Sequence, residues 1–223
     1  MICVSITARD TPEALAKIHR AEPVADLMEV RLDLMETFDV EALVAATQKP
    51  VIATYRSRKE GGAGRAGYAE RVRILTGAAA AGARWIDVEF SMPLEFRREI
   101  AKRRGESGLL ISCHLRNGTP SRQALEERLR RMAAGGAHGV KIVSMAREPE
   151  DNLRVLSLIP LARRLGTEVV AFCLGELGRP SRVLSPLLGA SFTFASLDPG
   201  EETAPGQLPL EETRWILEKL RGT

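Results

Sequence analysis

Residues Leu109–Val143 read LLISCHLRNGTPSRQALEERLRRMAAGGAHGVKIV. The apolar run Leu109–Cys113 is followed by a turn holding Asn117, Gly118 and Pro120, then by Ser121–Ala134, amphipathic at helical spacing, then by a second apolar run, Gly139–Val143. The two short runs are nearly continuous in apolar residues rather than alternating, the pattern of strands buried on both faces. A strand, a helix and a strand in that order make one parallel crossover unit. The same rhythm extends in both directions. Upstream, strands are predicted at Ile2–Ile6, Leu27–Arg31, Val51–Tyr55 and Trp85–Glu89, separated by helices at Thr11–Arg20, Val40–Ala46, Tyr68–Gly82 and Leu94–Arg103. Asp10 and Pro12 mark the start of the first helix. Downstream come helix Pro149–Leu165, strand Glu168–Leu174, a shorter helix at Ser181–Leu188, strand Phe192–Ala195 and a closing helix at Leu210–Leu220. Eight strand–helix pairs in 223 residues predict a single-domain α/β protein, a (β/α)8 TIM barrel spanning residues 1–223 and near the small end of that class. A doubly wound open sheet is the alternative; it requires fewer strands and a switch point.

Composition narrows the function. Charged residues make up 27% and hydrophobic residues 44%, ordinary for a folded globular chain. The formal net charge is +3, without the clustered excess of a nucleic-acid binder. The longest uncharged stretch, Val183–Leu197, is shorter than the roughly 20 residues a membrane helix needs. Arg9 and Asp10 arrive before any signal-like apolar region. The three cysteines, Cys3, Cys113 and Cys173, sit inside apolar runs, and an odd number of buried thiols fits a reducing, cytoplasmic compartment. No CxxC or HExxH spacing occurs, so no metal site is expected.

Barrel chemistry gathers at the C-terminal ends of the strands. There the sequence places Glu29, Arg31 and Asp33; Arg56 with Glu60 four residues on; Asp87 and Glu89; His114; Lys141; Arg182; and Thr203 to Gln207. Only 6 of the basic residues are lysines, and Lys141 alone lies between β-branched residues in a buried strand. A buried ammonium sheds its proton readily, and a neutral amine in a dry site attacks carbonyl carbon. The alternative is a lysine paired with a barrel carboxylate such as Glu29, Asp87 or Glu89. His114 is the one histidine at the end of a strand on the active face and suits acid–base work, or else a structural hydrogen bond. Arg31, Arg56 and Arg182 point to an anionic substrate, because a guanidinium fork matches a carboxylate. Gly62–Gly67 fits the GxGxxG pattern, but Arg56 to Gly61 separate it from the strand, so it is read as a flexible loop rather than a nucleotide site.

In order and spacing these residues resemble the type I 3-dehydroquinate dehydratases. The matching segments are Glu29-Val30-Arg31-Leu32-Asp33, Thr54-Tyr55-Arg56 with Lys59-Glu60-Gly61-Gly62, Asp87-Val88-Glu89, and Ser112-Cys113-His114 with Thr119-Pro120. They continue through Val140-Lys141-Ile142, Ser181-Arg182 and Ala204-Pro205-Gly206-Gln207. The resemblance implies a homodimeric barrel that needs no metal or organic cofactor and dehydrates 3-dehydroquinate to 3-dehydroshikimate in the shikimate pathway. It implies that Lys141 forms an imine with the substrate ketone, that His114 moves the protons, and that Glu60 orients His114. It further implies that Ser5, Glu29, Arg31, Arg56, Arg182, Phe194, Thr203 and Gln207 line the substrate site. Leu115 stands where the family often carries Asp, which leaves Glu60 more responsible for His114. Thr203 keeps the hydroxyl of the family's usual serine. The polar loop Asp198–Gln207 is expected to act as a lid. A class I aldolase is the competing enzyme, although the residues after the seventh and eighth strands are acidic and ill suited to phosphate. A non-catalytic metabolite-binding barrel is the other reading.

Overall fold

The computed structural model describes residues 1–222. Strands β1 (Ile2–Ile6), β2 (Leu27–Arg31), β3 (Val51–Thr54), β4 (Trp85–Glu89), β5 (Gly108–Leu115), β6 (Gly139–Met145), β7 (Glu168–Leu174) and β8 (Thr193–Ser196) form one parallel sheet. Helices α1 (Thr11–Ala21), α2 (Val40–Ala45), α3 (Tyr68–Ala80), α4 (Leu94–Arg103), α5 (Arg122–Ala134), α6 (Glu150–Leu156), α7 (Leu158–Arg164), α8 (Arg179–Leu187) and α9 (Leu210–Arg221) cover it. The helices begin where the sequence supplies caps. Asp10 and Asp39 accept from the backbone N–H groups of Glu13 and Ala42, each at 3.0 Å, and Ser121 caps α5.

The sheet curls into a barrel. Ladders join every neighbouring pair from β8 through β1 to β7. Between β7 and β8 there is no ladder. That seam is closed by the Ser191 N–H donating to the Val169 carbonyl at 2.9 Å, by the Gly175 N–H donating to the Pro205 carbonyl at 2.9 Å, and by Phe172 edge-on to Phe194. A ninth strand, β9 (Leu208–Pro209), pairs in parallel with β8.

Period-two alternation sorts each strand into an outer and an inner row. Ile2, Val4, Met28, Val30, Ile86, Ile111, Val140 and Ile142 face the helices in the main apolar core. Cys3, Leu27, Ile52, Trp85, Leu110, Val170 and Phe194 form a second cluster inside the barrel. The inner row changes character along each strand. Its N-terminal positions are apolar and are plugged by Trp85. A Cβ on Gly108 would stand 2.5 Å from the Trp85 ring, so glycine there is what lets the indole cross the barrel floor. Its C-terminal positions carry the ionisable groups.

Two sequence expectations are corrected here. The helix expected over Pro149–Leu165 is broken at Ser157, because Pro160 has no N–H to donate to the Leu156 carbonyl. The freed turn is held by the Ser157 hydroxyl donating to the Arg154 carbonyl at 2.7 Å. The glycine-rich segment Gly62–Gly67 is packed rather than loose at its start. The Gly62 and Gly64 N–H groups donate to the carbonyls of Ser57 and Arg56, and a Cβ on Gly62 would lie 2.2 Å from the Arg56 oxygen. These glycines permit a close backbone return over the end of β3.

Candidate active site

A cavity with ≈ 620 Å³ of empty space, its mouth included, opens at the C-terminal face of the barrel. Lys141 projects into it from β6 and is 5% exposed. Its Nζ lies 3.5 Å from Glu29 Oε1 and 3.7 Å from the centroid of the Phe194 ring. Burial pushes the amine below its ordinary value; Glu29 and Asp87 pull the other way, and Arg56 adds to the lowering. Glu29 is buried as well, which by itself raises a carboxyl. The cations Lys141, Arg31 and Arg56 and the Thr54 hydroxyl outweigh that and hold it at about 2. Glu29 therefore remains a carboxylate, accepting from Thr54 Oγ1 at 2.9 Å and Ser5 Oγ at 3.1 Å. Of the barrel carboxylates the sequence offered as partners for Lys141, it is Glu29 that is paired with it.

His114 lies on β5, one inward position beyond Ser112, which is the register partner of Lys141. Glu60 sits on the short turn after β3. Its Oε2 accepts from both the His114 backbone N–H at 3.1 Å and the ring Nδ1 at 3.0 Å, while Oε1 accepts from the Ser91 hydroxyl at 2.6 Å. A carboxylate on Nδ1 fixes the tautomer and leaves Nε2 with its lone pair. Burial, with Arg56 and Lys141 close by, pushes the imidazole well below its ordinary value, so at neutral pH it is a neutral base. Leu115 is half-buried, and Glu60 serves both the backbone and the ring of His114.

Beneath His114 runs a buried ionic network. Arg56 donates to Asp87 at 2.6 Å, to Ser112 at 2.7 Å and to Glu89 at 3.3 Å; Arg71 reaches in from α3 to Glu89 at 2.7 Å. Asp87 and Glu89, with Glu60 at 3.8 Å, hold the Arg56 guanidinium and raise its pKa despite burial. Arg31 makes a bidentate pair with Asp33 at 2.9 and 2.8 Å, and Asp33 also receives the Ala63 N–H at 3.0 Å. These arginines border the cavity with their charge already balanced.

Arg182 is different. It is 3% exposed, its Nη2 donates to the Pro205 carbonyl at 3.2 Å, its Cζ lies 4.5 Å over the Phe172 ring, and its Nε has no partner. No carboxylate pairs with it among the described residues. Burial pushes it down to about 9. An unpaired cation buried at a cavity wall is a site for an anionic group. The wall opposite the barrel comes from the loop before β9. There Gln207 Oε1 accepts from the Thr203 N–H at 2.7 Å and hydroxyl at 3.0 Å, which leaves the amide N–H groups of Gln207 for the cavity. Gly206 makes this possible: its φ is +75°, and a Cβ there would stand 2.1 Å from the Gly175 oxygen.

The structure thus gathers Lys141, His114, Glu60, Glu29, Arg31, Arg56, Arg182, Phe194, Thr203 and Gln207 around one cavity. Ser5 is not on its wall; it is buried below, donating to Glu29. Phe194 is more than a wall, since its face lies against the Lys141 amine. The sequence reading missed Arg71, whose place in the Ala-rich helix α3 looks solvent-facing, and did not single out Asp33 as the partner of Arg31.

A parallel barrel with an amine, an imidazole and an unpaired guanidinium around one cavity at its C-terminal face has the make-up of an imine-forming lyase. Comparison with known proteins sharpens that class. Residues 2–223 match the family described as type I 3-dehydroquinase. A 3-dehydroquinate dehydratase of Thermococcus gammatolerans is 42% identical over 224 residues, covering 100% of both chains. Another, from Syntrophobacter fumaroxidans, is 37% identical over 88% of this chain and 87% of its own. The type I 3-dehydroquinate dehydratase of Clostridium difficile, solved with covalently modified comenic acid, superposes with a TM-score of 0.88 at 25% identity, covering 99% of this chain and 92% of that one. The 3-dehydroquinate dehydratase of Geobacillus kaustophilus gives 0.88 at 27% identity, covering 99% and 91%. The chain belongs to the type I 3-dehydroquinase family.

Proposed function

We propose that this chain dehydrates 3-dehydroquinate to 3-dehydroshikimate through an imine on Lys141, as a step of the shikimate pathway. The observation that carries the mechanism is the depressed, buried amine of Lys141 sharing its cavity with a base fixed by Glu60 and with an arginine that no carboxylate pairs among the described residues. The substrate carboxylate pairs with Arg182, assisted by Thr203 and Gln207, and this turns the ketone toward Lys141. The neutral amine adds to the carbonyl carbon, and loss of water with a proton supplied through His114 gives a protonated imine. Glu29, at 3.5 Å, and the Phe194 face favour the positive charge on that nitrogen. The iminium draws electrons from the α-carbon, whose proton passes to His114 Nε2. The resulting enamine expels the β-hydroxyl, which leaves as water with that proton, and hydrolysis of the new imine returns the amine. Acid–base assistance of this kind is typically worth about 10²–10⁴-fold.

Residues Arg31 and Arg56, held by Asp33 and by Asp87 with Glu89, contribute their remaining N–H groups and a fixed positive field to the substrate hydroxyls. Loop 198–207 acts as the lid, latched to α1 through Lys17–Glu201 at 2.8 Å and Arg20–Asp198 at 2.5 Å. The working form is a cytoplasmic homodimer. Three free buried thiols support the compartment. Exposed leucines at positions 153, 177 and 188, on α6, the turn before α8 and the end of α8, support self-association. No metal, organic cofactor or nucleic acid has a role in this scheme.

The test is borohydride reduction during turnover of 3-dehydroquinate, followed by mass spectrometry of wild type and Lys141→Ala. The expected result is a stable adduct on the peptide containing Lys141, absent from the variant, together with ultraviolet absorbance of the conjugated product before reduction. Turnover without an adduct would overturn the covalent mechanism.

A further inference from the structure

Beside the catalytic cavity runs a second, wider groove, formed by the turns after β3, β5 and β6. The two share His114 and Arg116, so the groove leads to the mouth of the cavity. Lys59, Arg116 and Arg147 line it and are exposed. Among the described residues none of the three side chains is paired with a carboxylate; Arg147 Nε donates to the Asn117 carbonyl at 3.1 Å. The two carboxylates in the groove, Glu148 and Asp151, are both taken by Arg154, the latter at 2.5 Å. The groove therefore carries uncompensated positive charge, and it opens into the cavity whose wall holds the buried cation Arg182. Arg116 is the inner member. Its guanidinium lies over Gly61, where a Cβ would come within 3.2 Å of Nε and Cζ, and φ there is +92°. Glycine at 61 gives Arg116 its seat at the junction of groove and cavity.

We propose that the groove flanked by Lys59, Arg116 and Arg147 is the approach path of the anionic substrate, with Arg116 as the residue that passes it from the groove to Arg182. This rests on the function proposed above. A cleft lined by one sign of charge concentrates an oppositely charged ligand and speeds its capture, an effect that salt removes. Among the described residues no carboxylate of the fold neutralises these three cations, so their charge around one mouth is free to act on an anionic ligand.

The experiment compares wild type, Arg116→Gln, Arg116→Lys and the Lys59→Gln/Arg116→Gln/Arg147→Gln triple variant. It measures kcat/KM for 3-dehydroquinate at ionic strengths from about 0.01 M, where fields reach about 30 Å, to about 1 M, where they reach about 3 Å. The triple variant should lose about tenfold or more at low salt, the loss should shrink as salt rises, and Arg116→Lys should retain most of the wild-type value. An equal loss at every ionic strength, with a shifted pH profile, would make Arg116 a prop for the Glu60 turn and overturn the proposal. So would a wild-type kcat/KM indifferent to salt, which leaves the dehydratase reading standing if the Lys141 adduct forms. Absence of wild-type turnover would remove the substrate, and the path with it.

Discussion

Replacing Arg182 with Met should make the protein more stable and a far poorer binder. The guanidinium is buried, bonds one backbone carbonyl and leaves Nε unpaired. Burial lowers its pKa to about 9, well below the ordinary arginine value, which corresponds to about 5 kcal/mol against the charged form. The Phe172 face at 4.5 Å and the hydrogen bond to the Pro205 carbonyl together return about 3 kcal/mol of this. Methionine keeps a long side chain against Phe172 without the charge, so Arg182→Met should gain about 2 kcal/mol, a Tm rise of about 4–8 °C for a chain of this size. The folded state holds the proton less tightly than the unfolded state. The penalty is therefore complete below about pH 9 and fades as pH rises through that value, and the Tm gap should narrow between pH 8 and pH 10. Substrate should reverse the ranking. Two charge-assisted hydrogen bonds to a carboxylate are worth about 3–5 kcal/mol together, so kcat/KM should fall by about 10²–10³-fold or more. Scanning calorimetry across pH and steady-state kinetics on the same preparations check both halves. A variant that is less stable than wild type and still binds substrate normally would refute the claim that an anion belongs beside Arg182.

Glu60→Gln keeps the volume near His114 but removes the charge and one of the acceptors that fix the ring. The expected loss in kcat is about 10²-fold or more, with the folded state intact by circular dichroism and the His114 limb of the pH profile moved further to acid; unchanged catalysis would remove Glu60 from the mechanism. Glu29→Gln takes away the carboxylate that raises the Lys141 pKa, so the amine loses its proton at lower pH. The pH at which borohydride trapping of the substrate begins should fall accordingly, and an unmoved onset would sever Lys141 from Glu29.

Much of this was legible in the sequence, for identifiable reasons. Strands buried on both faces leave continuous apolar runs, and β1, β2, β4 and β7 fall where those runs do. Lys141 was legible because a lysine between valine and isoleucine violates the pattern of its own strand. Arg71 was not, because an arginine between Glu70 and Val72 in the first turn of α3 carries no mark of the barrel carboxylate it reaches. The two-residue strand β9 is invisible for a different reason. Leu208-Pro209 has no periodicity to read, and its pairing depends on where β8 leaves it. The pairing of guanidiniums with carboxylates was equally hidden. Sequence names the charges, but only the barrel's curvature decides that Arg56 meets Asp87 and Glu89 while Arg182 meets no acid among the described residues.

The unladdered junction between β7 and β8 gives the cylinder a clasp. At the other seven junctions, widening the mouth means tearing a row of backbone hydrogen bonds. At this one it means parting Phe172 from Phe194 and releasing a few loop contacts, and edge-to-face aromatic pairs are worth only about 0.5–1.5 kcal/mol each. Arg182, Phe172, Phe194 and Pro205 all border that clasp. The cavity thus lies along the weakest line of the wall, and the residues that let the wall give are also residues of its lining. Opening of the barrel is therefore expected at this single edge, beside the cavity, rather than at the floor plugged by Trp85.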